Sequence, residues 1–254
     1  MKRSLLLFFT IILVFSHSVE AQKKRRPPVP VRRTKTVQSP PETANTAIVV
    51  DERLAVLRIE PSLYAKPIQR MRRGRILAIS GSREADGVTF YRVIVPPNNY
   101  GWVQAEAVTG KFKRGDDERL ARLIQASSGF DQIERAVLFL DNYPNSTIRP
   151  AILLLIGDLI EENAAKISQD ATRKLDKREM AATGAPIYSY YLNYTSLDKF
   201  RKLGIDFLFN SNTKTFHYNG ASWKEIISKF PSASESTEAQ KRLDALKERL
   251  ERIK

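Results

Sequence analysis

The sequence predicts a multidomain chain: a small all-β barrel over residues 46–110 and an all-α helical domain over 116–254, preceded by a signal segment at 1–21 and a disordered linker at 22–45. Three observations predict it. Short β-rich runs crowd together between Ala47 and Thr109, with turn residues between them. Beyond Gly115 the apolar residues fall at helical spacing. Ahead of both, an apolar stretch behind Lys2-Arg3 gives way to a Pro/Arg-rich segment.

The N-terminal stretch has the layout of a secretory signal: a basic start, an apolar run from Leu5 to Phe15, and small residues around Ser18 and Ala21. The run is too short to cross a bilayer comfortably. The expectation is export with cleavage after Ala21, to a periplasmic or extracellular location; an uncleaved N-terminal anchor is the other reading. The chain has no Cys, which excludes lipoprotein attachment, disulfides and thiolate chemistry. The formal net charge is +14, which favours anionic partners. Residues 22–44 hold seven basic residues, one acid and five prolines. That composition cannot offset ordering entropy, so the segment is expected to be extended. It is either an electrostatic tether to anionic polymer or lipid headgroups, or a solvated spacer. No nucleic acid is expected as a partner, because export would carry the chain away from it.

The β region divides into Ile48–Val50, Leu54–Ile59, Arg75–Ile79, Phe90–Val95 and Gly101–Val103. Pro61-Ser62, Gly74, Gly81-Ser82, Asp86-Gly87 and Pro96–Asn99 supply turn chemistry between them. Some five or six strands around one core suit this length. The residues also carry a resemblance. Leu54, Val56, Arg58, Pro61 and Ser62 resemble the L-x-V-R-x-x-P-S opening of bacterial SH3-like domains, with the Arg one place later, after Leu57. Met71 and Gly74 resemble that family's later hydrophobic-x-x-Gly step. Tyr91-Arg92-Val93 resembles its W/Y-x-K/R-V strand, and Gly101-Trp102-Val103 with Val108 is similar to its closing element. Ala55 stands where the family has Asn. The resemblance implies an SH3-like barrel that binds peptidoglycan or a peptide.

The helical region starts after the charged hinge Lys111–Gly115, with Asp116-Asp117 as the N-cap region. A second helix is expected behind Asp131 as cap, carrying Ile133, Val137 and Leu140 and ending at Tyr143-Pro144. A third runs from about Ile148 to Ser168, its Ala151–Ile156 run apolar all round and so buried. A polar fourth reaches Met180. A helix is expected over Ile187–Leu203, its Tyr188–Tyr194 cluster more as core than as a ligand platform. Residues 205–218 read as a short hairpin, with irregular helix as the alternative. Ser222 opens a helix with Trp223, Ile226 and Phe230, and a last one spans Glu235–Lys254. Leu138–Leu153 and Ile226–Leu243 share a plan: an apolar helix end, an aromatic-Pro pair, a polar turn, then a helix opening on Ala. This resembles the joint of tetratricopeptide-like repeats, especially those of bacterial envelope proteins, in which Pro ends one helix, Ser caps the next and Ala lets the two approach. The resemblance implies a concave face for a protein partner; an ordinary helical bundle is the alternative.

No set of residues makes a catalytic constellation. The only histidines are His17 and His217, too few for a zinc site, and no metal or cofactor is expected. Ser211–Lys214 spells S-x-x-K, but inside a polar turn and without the partners that chemistry needs. Asp158, Glu161 and Glu162 are read as the solvated face of a helix. The function expected is that of an exported, non-enzymatic binding or scaffold protein of the cell envelope, whose partners are cell-wall peptidoglycan or an envelope protein. The alternative is a cell-wall hydrolase, or its regulator, using carboxylates of the helical domain. Interface energy resides in aromatics and Arg, which makes Tyr64, Arg72, Tyr91, Tyr100 and Trp102 the candidate groove of the barrel. Tyr64 and Tyr100 are expected in loops. Arg70, Arg72, Arg73 and Arg75 form a basic cluster that faces either an acidic ligand or solvent.

Overall fold

The computed structural model describes residues 45–175 and 177–251, so the expected signal segment and the linker up to residue 44 lie outside the described residues, as do the last three positions of the expected final helix. Seven strands form one antiparallel sheet: β1 (Thr46–Val49), β2 (Val56–Arg58), β3 (Pro67–Arg70), β4 (Ile76–Ala85), β5 (Val88–Val95), β6 (Asn99–Gln104) and β7 (Val108–Thr109). Their order is β3-β2-β6-β5-β4-β1-β7, and the sheet curls into a half-barrel. Its concave side closes over Ala55, Leu57, Met71, Leu77, Val93, Val95 and Val103. Alternation along β1 serves two cores. Ala47 and Val49 enter the sheet's own core, whereas Ile48 and Val50 pack with the helices. A strand buried on both faces needs an unbroken apolar run, which is why this one reads Ala-Ile-Val-Val.

The structure corrects several sequence expectations for the sheet. β3 carries no strand signal, because Pro67 begins it; as an edge strand it tolerates a residue without N–H. Gly81-Ser82 is not a turn. The register shifts there by a bulge and β4 runs on to Ala85. The reversal comes at Asp86-Gly87, both at positive φ (53° and 74°), as a tight two-residue hairpin requires. Tyr100 lies within β6 rather than in a loop. Gly101 permits that strand's contact with β2: a Cβ there would sit 2.6 Å from the Arg58 carbonyl oxygen and 2.9 Å from the Leu57 side chain.

Beyond β7 the described residues are helical apart from one hairpin. The helices are α1 (Asp116–Gln125), α2 (Gly129–Asn142), α3 (Arg149–Lys174), α4 (Lys177–Ala182), α5 (Ile187–Leu192), α6 (Asp198–Arg201), α7 (Ala221–Lys229) and α8 (Glu235–Glu251); the hairpin is β8 (Phe207–Asn210) with β9 (Thr215–Tyr218). The hairpin expected within 205–218 is therefore present. Asp131 does not cap α2; it lies inside the first turn. α3 continues past Ser168 to Lys174. The single helix expected over 187–203 is broken at Asn193-Tyr194, where Tyr191 and Tyr194 both turn into the core while Tyr188 stays exposed. Tyr191 stacks on Phe209 of β8 with ring centroids 4.9 Å apart.

α3 is the axis of this part, with α2, α7, α8 and β9 packed around it. Gly157 in its middle admits Trp223 of α7; a Cβ would lie 2.3 Å from the indole nitrogen. The two similar joints have the same backbone pattern. Tyr143 N–H donates to Phe139 and Phe230 N–H to Ile226. Ser146 then donates to Tyr143 and Ala233 to Phe230, followed by Arg149 to Ser146 and Ser236 to Ala233. Ser146 lies two residues before the N-cap position of α3, which is Ile148; its hydroxyl accepts from the Ile148 N–H (3.3 Å) and donates to Asp117 (2.7 Å).

Sheet and helices are joined by buried polar bonds within one compact unit. Arg135 of α2 is 2% exposed. It donates to the Ser127 hydroxyl (2.8 Å) and pairs with Asp131 and with Asp51, just after β1. Arg73 pairs with Asp131 and Glu134. The basic cluster is thus mostly bonded to the protein itself, although Arg70 and Arg72 are exposed. Arg70 donates to the carbonyls of Glu52 and Arg53, Arg75 to that of Pro96, and Arg72 alone of the four stays exposed without such a bond.

Candidate binding face of the sheet

In an antiparallel sheet, residues directly opposite share a face and successive residues alternate. The convex face of β5 and β6 is therefore read from the register. Trp102 is opposite Arg92 on one side and Arg58 on the other, and Tyr100 is opposite Ile94. Tyr100 is 60% exposed and Trp102 half-buried. Arg58 is held against this face: its Nη1 donates to the Ala65 carbonyl (2.8 Å), while its buried Nε finds no acceptor among the described residues. Arg92 projects outward. Indole, phenol and two guanidinium groups thus share one surface over a fully packed interior, a set able to stack on flat groups and to donate to carboxylates or peptide carbonyls.

Tyr64 lies in the loop between β2 and β3, next to Ala65, whose carbonyl holds the Arg58 guanidinium. The Tyr64 ring is 89% exposed, but its loop is pinned. Asp86, in the β4–β5 turn, accepts from the Ser62 hydroxyl (2.7 Å) and the Leu63 N–H (2.8 Å). The Ser62 bond, followed by that of Leu63, holds the Asp86 carboxyl below its ordinary value. An exposed aromatic on a fixed loop loses little freedom when it binds.

The other two candidates do not join this face. Tyr91 neighbours Arg92 and so points to the concave side, opposite Val103, where its ring meets Phe112 edge-on at 5.7 Å; burial raises its pKa. Arg72 follows β3 at the far end of the β2–β3 ribbon, since Arg70 pairs with Val56 rather than with Arg58. Arg58, Arg92 and Ile94 were not among the sequence candidates. Period-two spacing around Trp102 could have found Arg92, but only the strand pairing finds Arg58.

A second polar cluster lies on α3 and corrects the reading of its carboxylates as solvated. Glu162 is so placed, with a surface partner in Lys166, and Asp158 is partly so; Glu161 is not. Asp158 pairs with Arg242 of α8. Glu161 is mostly buried: one oxygen accepts from His217 Nδ1 (3.0 Å) and Arg249 (2.8 Å), the other from the Tyr218 N–H (2.7 Å). Burial raises its pKa, but the bonds from His217 and Tyr218 outweigh it and leave the carboxyl below its ordinary value. His217 Nε2 meets the Thr215 hydroxyl (3.0 Å). The order carboxylate, imidazole, hydroxyl is that of a nucleophile relay. Here the carboxylate is already shared with a guanidinium, and the cavity beside it, about 300 Å³, is lined by Asp158, Glu161, Trp223, Arg242 and Arg249 rather than by Thr215. These bonds tie β9 and α8 to α3. Among the described residues, no group of His, Asp and Glu is placed to hold a metal ion, and no helix is long and apolar enough to cross a membrane. Comparison of the chain with family models, with curated proteins and with solved structures finds no match.

Proposed function

We propose that the protein is an exported, non-enzymatic binding protein of the bacterial cell envelope. In this reading the curled sheet is an SH3-like module that binds cell-wall peptide or a protein, and the helices are a divergent tetratricopeptide-like scaffold for a protein partner. The observation that carries it is the convex face with Tyr100 and Trp102 in reach of solvent beside Arg58 and Arg92, with exposed Tyr64 on the loop whose Ala65 carbonyl holds Arg58. Large aromatics cost free energy in water, and here they sit on a rigid sheet whose own core is complete without them. The repeated joint at Tyr143-Pro144 and Phe230-Pro231 supports the scaffold reading. The basic segment ahead of β1 adds attraction to anionic polymer or headgroups.

The test is co-sedimentation of the purified protein with isolated cell wall, joined to crosslinking in the native envelope. The double variant Tyr100→Ser with Trp102→Ser should keep the fold and lose the wall or the crosslinked partner. If the unaltered protein neither pellets with wall nor captures an envelope protein, the reading fails.

A further inference from the structure

A cavity of about 400 Å³ opens where the segment after β7 passes the α2–α3 joint. One wall carries Lys111, Lys113 and Arg114; the other carries Tyr143, Asn145 and Ser146. We propose that this cleft binds a phosphate group, free or borne on a small ester.

The three cations are placed by the fold. Phe112 between them is anchored against Tyr91 of the sheet core, while Lys111, Lys113 and Arg114 stay exposed. The segment is closed by turns from Lys113 N–H to the Gly110 carbonyl and from Asp116 N–H to the Lys113 carbonyl. The buried Asp116 carboxylate locks it further by accepting from the Gly110 N–H (3.0 Å). Three like charges within four residues repel one another, yet among the described residues none of them enters an ion pair. Nearby cations do: Arg119 pairs with Asp116 and Arg149 with Glu225. The polar groups opposite are mostly committed elsewhere, Tyr143 to the Thr109 hydroxyl (2.6 Å) and Ser146 to Asp117 (2.7 Å). Asp117 is the one acid lining the cleft, and the local balance stays positive. A phosphate carries about 1.5 to 2 negative charges at neutral pH and would take charge-assisted bonds from two or three of these donors. The volume leaves room for a small alcohol behind the phosphate.

The test is calorimetric titration of the full chain at low salt with inorganic phosphate and, separately, with glycerol 3-phosphate. Saturable binding is expected for at least one; tighter binding of the ester assigns the cleft to esters, and equal binding assigns it to the anion. The triple variant Lys111→Ala, Lys113→Ala, Arg114→Ala should bind at least about tenfold more weakly. A charge-matched control, Lys66→Ala, Arg83→Ala, Lys202→Ala, should stay within about twofold, and thermal melts of both should match the parent. No saturable binding of either probe, or equal weakening by the two triple variants, overturns the assignment.

Discussion

The chain has two tryptophans, and they sit in opposite settings. Trp223 is 1% exposed, pressed against α3 at Gly157, its indole N–H without an acceptor among the described residues. Trp102 lies half-buried on the convex face of the sheet between two arginines. The same side chain therefore does different work. At Trp223 a large apolar surface fills the helical core at the expense of one hydrogen bond. At Trp102 the interior below is already filled, and the ring adds a surface that water covers poorly. The same division separates the two polar clusters. The groups around Glu161 bind one another; those around Trp102 retain donors for something else.

The largest effect should come from Trp223→Ala, a loss of about 3–5 kcal/mol in unfolding free energy by urea denaturation. A loss below about 1 kcal/mol would show that the helical core does not depend on this ring. Glu161→Ala should follow at about 2 kcal/mol, since three donors lose their acceptor.

Acid sharpens the same contrast. Asp170, bonded by the Tyr194 hydroxyl and then by Lys174 and Arg173, is lowered to about 2, and Glu161 is lowered as well. Both bind protons less readily folded than unfolded. Their stabilisation is therefore complete above about pH 5 and is lost as pH falls through the folded values. The Tm should decline below about pH 5, and Glu161→Gln should make the decline shallower. An unchanged slope would mean that Glu161 is not ionised in the fold.

On the sheet the expectation reverses. Tyr100→Ala and Tyr64→Ala should change stability by no more than about 0.5 kcal/mol while weakening wall or partner binding about tenfold or more. The smallest signal is optical. Acrylamide should quench Trp102 and spare Trp223, and the bound partner should remove that quenching. Equal quenching of both indoles would undo the comparison.

Much of the local structure was legible in the sequence. Asp86-Gly87 marks a hairpin because both residues accept positive φ, and Phe207, Phe209, Phe216 and Tyr218 alternate around a polar turn as strands do. The spacing of Leu120, Ile124, Ile133 and Trp223 gives helices because their stripes must find a core. Such features depend on residues a few places apart. β3 was hidden because an edge strand is defined by its neighbour, and the bulge at Gly81 resembles a turn until its partner strand is known.

What the sequence determined by itself was the division into a β region followed by helices, most elements within each, and the presence of surface-capable aromatics near β5 and β6, since periodicity and turn chemistry are local. Only the tertiary structure decided which of those aromatics share a face. Trp102 and Arg58 meet through strand pairing, Tyr91 is turned inward by alternation, and Arg73 is drawn to α2. It also moved Glu161 out of solvent, because a helix face is exposed or buried according to what packs on it. Here β9 and α8 arrive from more than fifty residues away to do so.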